Sequence, residues 1–204
     1  MPNLSASVIG LLDTAAIFVF ALTGALVAAS KRQTLVTFTF FAFVAGVGGG
    51  SVRDLLIGAR VFWIDHNVSL AACVAAALTV WAAPKHWWRG NALDWLDAVG
   101  LAAYATFGAA KALAYGVAPL PAIAMGVLTG CLGGIIRDVL AGQPSILMRP
   151  ELYVTAAALS AASVVVLLVL GVPALVAGPV AAAAGFGLRA LAIAKGLRLP
   201  AYSL

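Results

Sequence analysis

The sequence predicts an all-α polytopic membrane protein, seven transmembrane helices arranged as an inverted three-plus-three repeat with one helix added. Three observations lead there. The 204-residue chain is 64% hydrophobic and 9% charged, with a mean hydropathy of +1.09, whereas soluble domains carry roughly 25% charged residues. Its apolar residues fall into seven long stretches. Its sparse Asp, Arg and Gly residues recur at one fixed spacing.

The stretches are roughly 8–30, 35–57, 68–83, 96–115, 119–141, 152–170 and 172–193. Runs of about 18 or more mostly apolar residues are long enough to span a bilayer. The first begins MPNLSASVIGLLD, without a basic n-region, and continues to Ser30 before Lys31-Arg32 stops it. It therefore reads as a helix and not as a cleaved signal. The second holds GVGGGSVRDLLIG, Gly46 to Gly58. The third is short for a span and is expected to extend further or to lie tilted. The fourth carries Lys111, and the fifth holds GCLGGIIRDVLAG, Gly130 to Gly142. The connections are brief, so residues 1–204 form one transmembrane domain. Repeat one covers about 8–83, repeat two about 96–170, and the seventh helix about 172–193.

Basic residues in short loops set orientation. Lys31, Arg32, Lys85, Arg89, Arg149, Lys195 and Arg198 fall on one side, with Arg189 near its helix end, and the other side offers Arg60. A multi-pass protein of the cell (inner) membrane is expected, N-terminus outside and C-terminus cytoplasmic. Trp81, Trp87, Trp88 and Trp95 cluster at one boundary as interfacial anchors.

Arg137 minus Arg53 is 84, and the same offset maps Asp13 onto Asp97, Gly24 onto Gly108 and Gly46 onto Gly130. Gly49-Gly50 maps onto Gly133-Gly134, Asp54 onto Asp138 and Gly58 onto Gly142, without a gap. Each copy holds three spans, an odd number, so the second enters the membrane from the opposite side. Such repeats are related by a pseudo-two-fold axis in the membrane plane.

The glycine stretches exclude familiar soluble chemistries. GVGGGS lacks the Gly-Lys-Ser/Thr ending of a P-loop, and Ser51 stands where a dinucleotide fingerprint needs its last glycine. His66 and His86 are isolated loop residues, and no catalytic constellation is visible. An enzyme is not expected. Cys73 and Cys131, both within spans, read as small packing residues.

In the membrane, Ala42, Gly46, Gly50 and Arg53 share one helix face, as do Gly126, Gly130, Gly134 and Arg137. Such ladders admit a close helix neighbour, and glycine-dense centres are also where helices bend or unwind. Adjacent helical residues point about 100° apart. Arg53 and Asp54 are therefore expected to find partners elsewhere, as are Arg137 and Asp138. Lys111, an ionisable residue inside a span, is a functional candidate or a structural partner for an acid such as Asp138. Asp13 and Asp97 lie near the predicted starts of their helices and read as caps or dipole partners.

The repeated GGGSVRD and LGGIIRD, on the second and fifth of seven helices, resemble the prokaryotic TRIC family, relatives of the trimeric intracellular cation channels. The likeness covers nearly the whole chain. It implies a homotrimer with a potassium-conducting pore in each protomer, flanked by second and fifth helices kinked at their glycines. By motif, the pore and kink roles fall on Gly48, Gly49, Gly50, Gly133 and Gly134, and the pore charges on Arg53, Asp54, Arg137 and Asp138. Lys111 matches, by helix position, a basic residue implicated in gating. It is followed by Ala112-Leu113 rather than the Lys-Glu-Val continuation of animal members, so their lipid- and voltage-linked regulation does not carry over. Expected partners are further copies of the chain, membrane lipid and monovalent cations, with no nucleic acid. No cofactor is expected beyond the permeant potassium ion, with bound lipid left open. The alternative is a secondary transporter of a small amino acid such as glycine, since broken helices in inverted repeats are also a transporter plan.

Overall fold

The computed structural model of the protein describes residues 4–200 apart from His66, Arg89 and Arg149, with side chains from residue 13 onward. The loop reading of His66 and the orientation readings of Arg89 and Arg149 lie outside the described residues. Among the described residues eight α-helices follow in order: α1 Leu4–Ser30, α2 Leu35–Leu56, α3 Phe62–Asp65, α4 Asn67–Ala82, α5 Ala92–Ala114, α6 Pro119–Leu140, α7 Val154–Val169 and α8 Ala174–Lys195. Seven are long, and α3 is a single turn. Short 3-10 turns occupy Lys85–Trp88 and Ile146–Met148.

The offset of 84 governs the backbone as well as the motifs. Ser30 and Ala114 end α1 and α5, and Leu35 and Pro119 begin α2 and α6. Leu56 and Leu140 then close α2 and α6. The turn after each is made by Gly58 and Gly142, with φ of 68° and 63°, a region that costs glycine little. The loop between α1 and α2 has Arg32 at φ 54° where its counterpart has Gly116 at 80°.

Among the described residues, four helical segments are long and apolar enough to cross a membrane: Asp13–Ser30 of α1, and the whole of α2, α6 and α8. The expectation that the third stretch extends further is not met. α4 has 16 residues, about 24 Å of helix, and the chain turns through α3 before it. Its counterpart α7 also has 16 residues. α5 spans 23 residues but carries Asp94, Asp97 and Lys111. Asp13 and Asp97 are not caps: α1 begins at Leu4 and α5 at Ala92, because both helices run further upstream than apolarity alone suggests.

The core divides as the repeat does. Ile17, Phe20, Ala25, Phe38, Ala42 and Cys73 join α1, α2 and α4, and Ala109, Ala122, Ala161, Val164 and Ala181 join α5 to α8. Cys73 and Cys131 are buried free thiols. Within the subunit α8 packs closely on α7, where a Cβ on Gly185 would collide with Ser160. Arg189, counted among the orienting basic residues as one near its helix end, is buried and bonds Glu151 at 2.6 Å, tying α8 to the segment before α7.

Candidate functional site

α2 and α6 cross at their glycines. A Cβ on Gly49 would strike the carbonyl oxygen of Thr129, and one on Gly133 would strike that of Ala45. These contacts are one contact seen twice, since 45 plus 84 is 129. Gly46 faces the Ile17 carbonyl and Gly130 that of Leu101, again related by 84. Only residues without side chains permit this approach. Both helices run unbroken through the glycines, so of the two expected distortions, bending or unwinding, the unwinding does not occur there; the missing side chains provide close packing. Gly48 is looser, with Ile136 Cδ1 3.6 Å from a Cβ placed on it. On Gly50 a Cβ would meet the Phe62 ring.

Just beyond each glycine ladder lies a buried charge cluster. Arg53 Nε donates to Asp54 Oδ1 at 2.8 Å, and Arg137 Nε to Asp138 Oδ1 at 2.9 Å. The expectation that each finds a partner elsewhere is met for Asp54 and Arg137, but the neighbours on one helix also pair with each other. An arginine side chain is long enough to fold back across 100°, and the aspartate is pinned by a second bond. Asp54 Oδ2 accepts the Phe62 amide at 3.1 Å, and Asp138 Oδ2 the Ile146 amide at 3.0 Å. Each Asp therefore closes the glycine turn that follows its helix. All four side chains are at most 6% exposed, so neither arginine snorkels.

The two clusters then diverge. In the first, Lys111 Nζ reaches Asp54 at 2.8 and 2.9 Å, so the lysine of repeat two serves the acid of repeat one and not Asp138. Arg53 lies 5.4 Å from the Phe107 ring centroid, and its Nη1 has no hydrogen-bond partner. In the second, Arg137 Nη1 donates to Thr23 Oγ1 at 2.7 Å and Asp97 Oδ1 at 2.9 Å. Position 107 is 84 beyond position 23, so the same site offers a hydroxyl to Arg137 and a phenyl to Arg53. Between the clusters, Phe20 and Tyr104, also 84 apart, meet edge to face at 5.3 Å. Tyr104 donates to the Gly46 carbonyl at 2.6 Å.

All ten residues singled out from the sequence thus fall on the crossing or in the clusters flanking it. The residues missed, Thr23, Phe107, Tyr104, Phe62 and Ile146, carry no motif. Extending the offset of 84 beyond Asp, Arg and Gly would have paired most of them. Electrostatically, each base has an acidic partner: Arg53 and Lys111 share the single carboxylate of Asp54, and Arg137 is held by Asp97 and Asp138. Among the described residues no group of three or more His, Cys, Asp or Glu could hold a metal.

Comparison with known proteins agrees with this symmetry. A family model described as "Glycine transporter" matches residues 10–85 and 94–169, two matches displaced by the same 84 (94 − 10 and 169 − 85). The chain is 42% identical over 159 residues to a UPF0126 membrane protein of Vibrio cholerae, a match covering 75% of this chain and 65% of that relative. It is 39% identical to the UPF0126 inner membrane protein YadS of Escherichia coli K12, over 71% of this chain and 72% of that one. Among solved structures, a TRIC trimeric intracellular cation channel orthologue from Rhodobacter sphaeroides superposes with a TM-score of 0.86 at 41% identity, covering 94% of this chain and all of that one. A prokaryotic TRIC channel determined in 0.5 M KCl gives 0.85 at 26% identity, over 95% of this chain and 100% of that chain.

Proposed function

We propose, from the premise that this multi-pass membrane protein belongs to the prokaryotic TRIC family, that it is a monovalent cation channel with a pore in each protomer. The observation that carries the reading is the pairing of every base at the glycine crossing. Arg53 and Lys111 are held by Asp54, and Arg137 by Asp97 and Asp138. Unpaired arginines along the path would repel cations; paired ones fix the helices and leave backbone carbonyls to meet the ion.

In this reading α2 and α6 flank the route, with Gly48, Gly49, Gly50, Gly133 and Gly134 along it. The packed Gly49–Thr129 and Gly133–Ala45 contacts belong, in this reading, to the closed conformation. Opening parts or bends these helices at the glycines, and Lys111, released from Asp54, takes part in gating. Potassium is the proposed ion and a homotrimer embedded in lipid the proposed assembly. All seven long helices span the cell (inner) membrane in the proposed arrangement, N-terminus outside and C-terminus cytoplasmic. No enzymatic activity is proposed.

The family model's description keeps glycine transport as a second reading. A transporter of that plan offers half-helix N-termini to a carboxylate. The unbroken α2 and α6 supply none at the crossing, which favours the channel. Proteoliposomes separate the two. The channel reading expects rapid potassium flux with no accumulation of labelled glycine; saturable glycine uptake without potassium flux would overturn it.

A further inference from the structure

The turns that follow α2 and α6 begin alike and end differently. Asp54 Oδ2 holds the Phe62 amide and Asp138 Oδ2 the Ile146 amide. Ile146 is 3% exposed and lies in the core with Leu101, Ala105 and Tyr153. Phe62 instead opens α3, none of whose residues is buried. The turn after α6 is part of the core, whereas the turn after α2 lies over it.

Phe62 nonetheless reaches inward. A Cβ on Gly50 would lie 2.7 Å from Phe62 Cε1, with two more ring atoms at 3.4 and 3.5 Å. At the equivalent Gly134 the nearest atoms are Tyr153 Oη, Asp97 Oδ1 and Arg137 Nη2. A phenyl ring thus covers one glycine where polar atoms surround the other. Lys111 Nζ lies 6.0 Å from the centroid of that ring. The rest of α3 is lightly held. Trp63 Nε1 donates to Ser51 Oγ at 2.8 Å and its ring meets Phe43 edge to face at 5.2 Å. Asp65 pairs only with Arg60, which is 76% exposed. Asp54 Oδ2, which accepts the Phe62 amide, also accepts Lys111 Nζ at 2.9 Å, so one carboxylate oxygen holds both the lysine and the α3 backbone.

A segment with few buried contacts opens at far lower cost than the core, and an apolar ring across a narrow polar route stops ions by excluding water. We propose that α3 is a removable plug at the outer end of the route, and that Phe62 closes it by seating its ring on Gly50. The plug deepens the channel reading and rests on it. Because both bonds end on Asp54, a shift of that carboxylate that frees Lys111 also loosens the plug. The turn at Ile146 has no such freedom, so the moving element lies on one side of the membrane only.

The test is single-channel recording of the purified full chain in planar bilayers, wild type against Phe62→Ala. The expected result is a roughly tenfold rise in the ratio of open to closed time, as befits the loss of a half-buried phenyl ring. Unitary conductance should not change, because the ring has left the route in the open state. Trp63→Phe loses the bond to Ser51 and should raise the ratio by less; if Phe62→Ala does not fold, this variant carries the test. Ile146→Ala should lower the melting temperature without raising the ratio, and a merely structural Phe62 would behave the same way. A conducting wild type whose ratio Phe62→Ala leaves unchanged would overturn the plug and leave the channel reading standing. So would a changed unitary conductance at constant ratio, which makes Phe62 a lining residue. Current from Phe62→Ala but not from the wild type would support the plug, whereas silence from both would overturn the channel reading and the plug with it.

Discussion

Asp54 joins four donors, and the consequence of removing it can be worked from the structure. Its side chain is fully buried and receives Arg53 Nε and Nη2, Lys111 Nζ and the Phe62 amide. Asp54→Asn strands Arg53, 1% exposed and already with one nitrogen unpartnered, and leaves Lys111 facing a neutral amide. Breaking a buried pair from one side costs about 3–5 kcal/mol. Lys111→Met removes a side chain that is 17% exposed and leaves Asp54 with Arg53 and the amide, so about 1–2 kcal/mol is expected. The double variant carries no stranded lysine. It should therefore be more stable than the summed single losses by about 1–3 kcal/mol. Thermal unfolding in detergent, followed by tryptophan fluorescence, reads these losses at roughly 2–4 °C per kcal/mol. Additivity within about 0.5 kcal/mol would refute the shared cluster.

Other expectations follow from single contacts. Gly133→Ala puts a Cβ 2.5 Å from the Ala45 carbonyl, forcing α2 and α6 apart at about 1–3 kcal/mol; Gly178→Ala, with nothing within 4 Å, should be neutral or stabilising in the same melting assay. Thr23→Val removes one acceptor of Arg137 Nη1 and should cost about 1.5–3 kcal/mol, read as a lowered melting temperature. Arg32→Gly relieves a left-handed residue and should raise the melting temperature slightly, by roughly 1 kcal/mol. Cys73 and Cys131 are buried and should resist maleimide until the protein is denatured.

The fold was largely legible because apolar length and the 84-residue offset act on the same helices. The offset was visible through Asp, Arg and Gly, and the Gly49–Thr129 and Gly133–Ala45 contacts and the matched amide bonds to Asp54 and Asp138 obey it, although their partners Phe62 and Ile146 were not singled out. What stayed hidden were details of reach. Arg53 folds back onto Asp54 because arginine is long, which helical spacing alone does not reveal. Lys111 crosses to the acid of the other repeat, and Asp97 enters an ion pair instead of capping a helix, because both depend on how the repeats interlock. Thr23 and Phe107 were unreadable in isolation, since a hydroxyl or a phenyl inside a membrane helix usually signals only packing.

The central claim is that cations pass through this fold once the glycine crossing opens. The most direct measurement is the current across a planar bilayer containing the purified protein, with a potassium chloride gradient. A cation channel predicts a reversal potential near the potassium equilibrium value. A reversal near the chloride value, or a silent bilayer from protein that accumulates labelled glycine in liposomes, would contradict it.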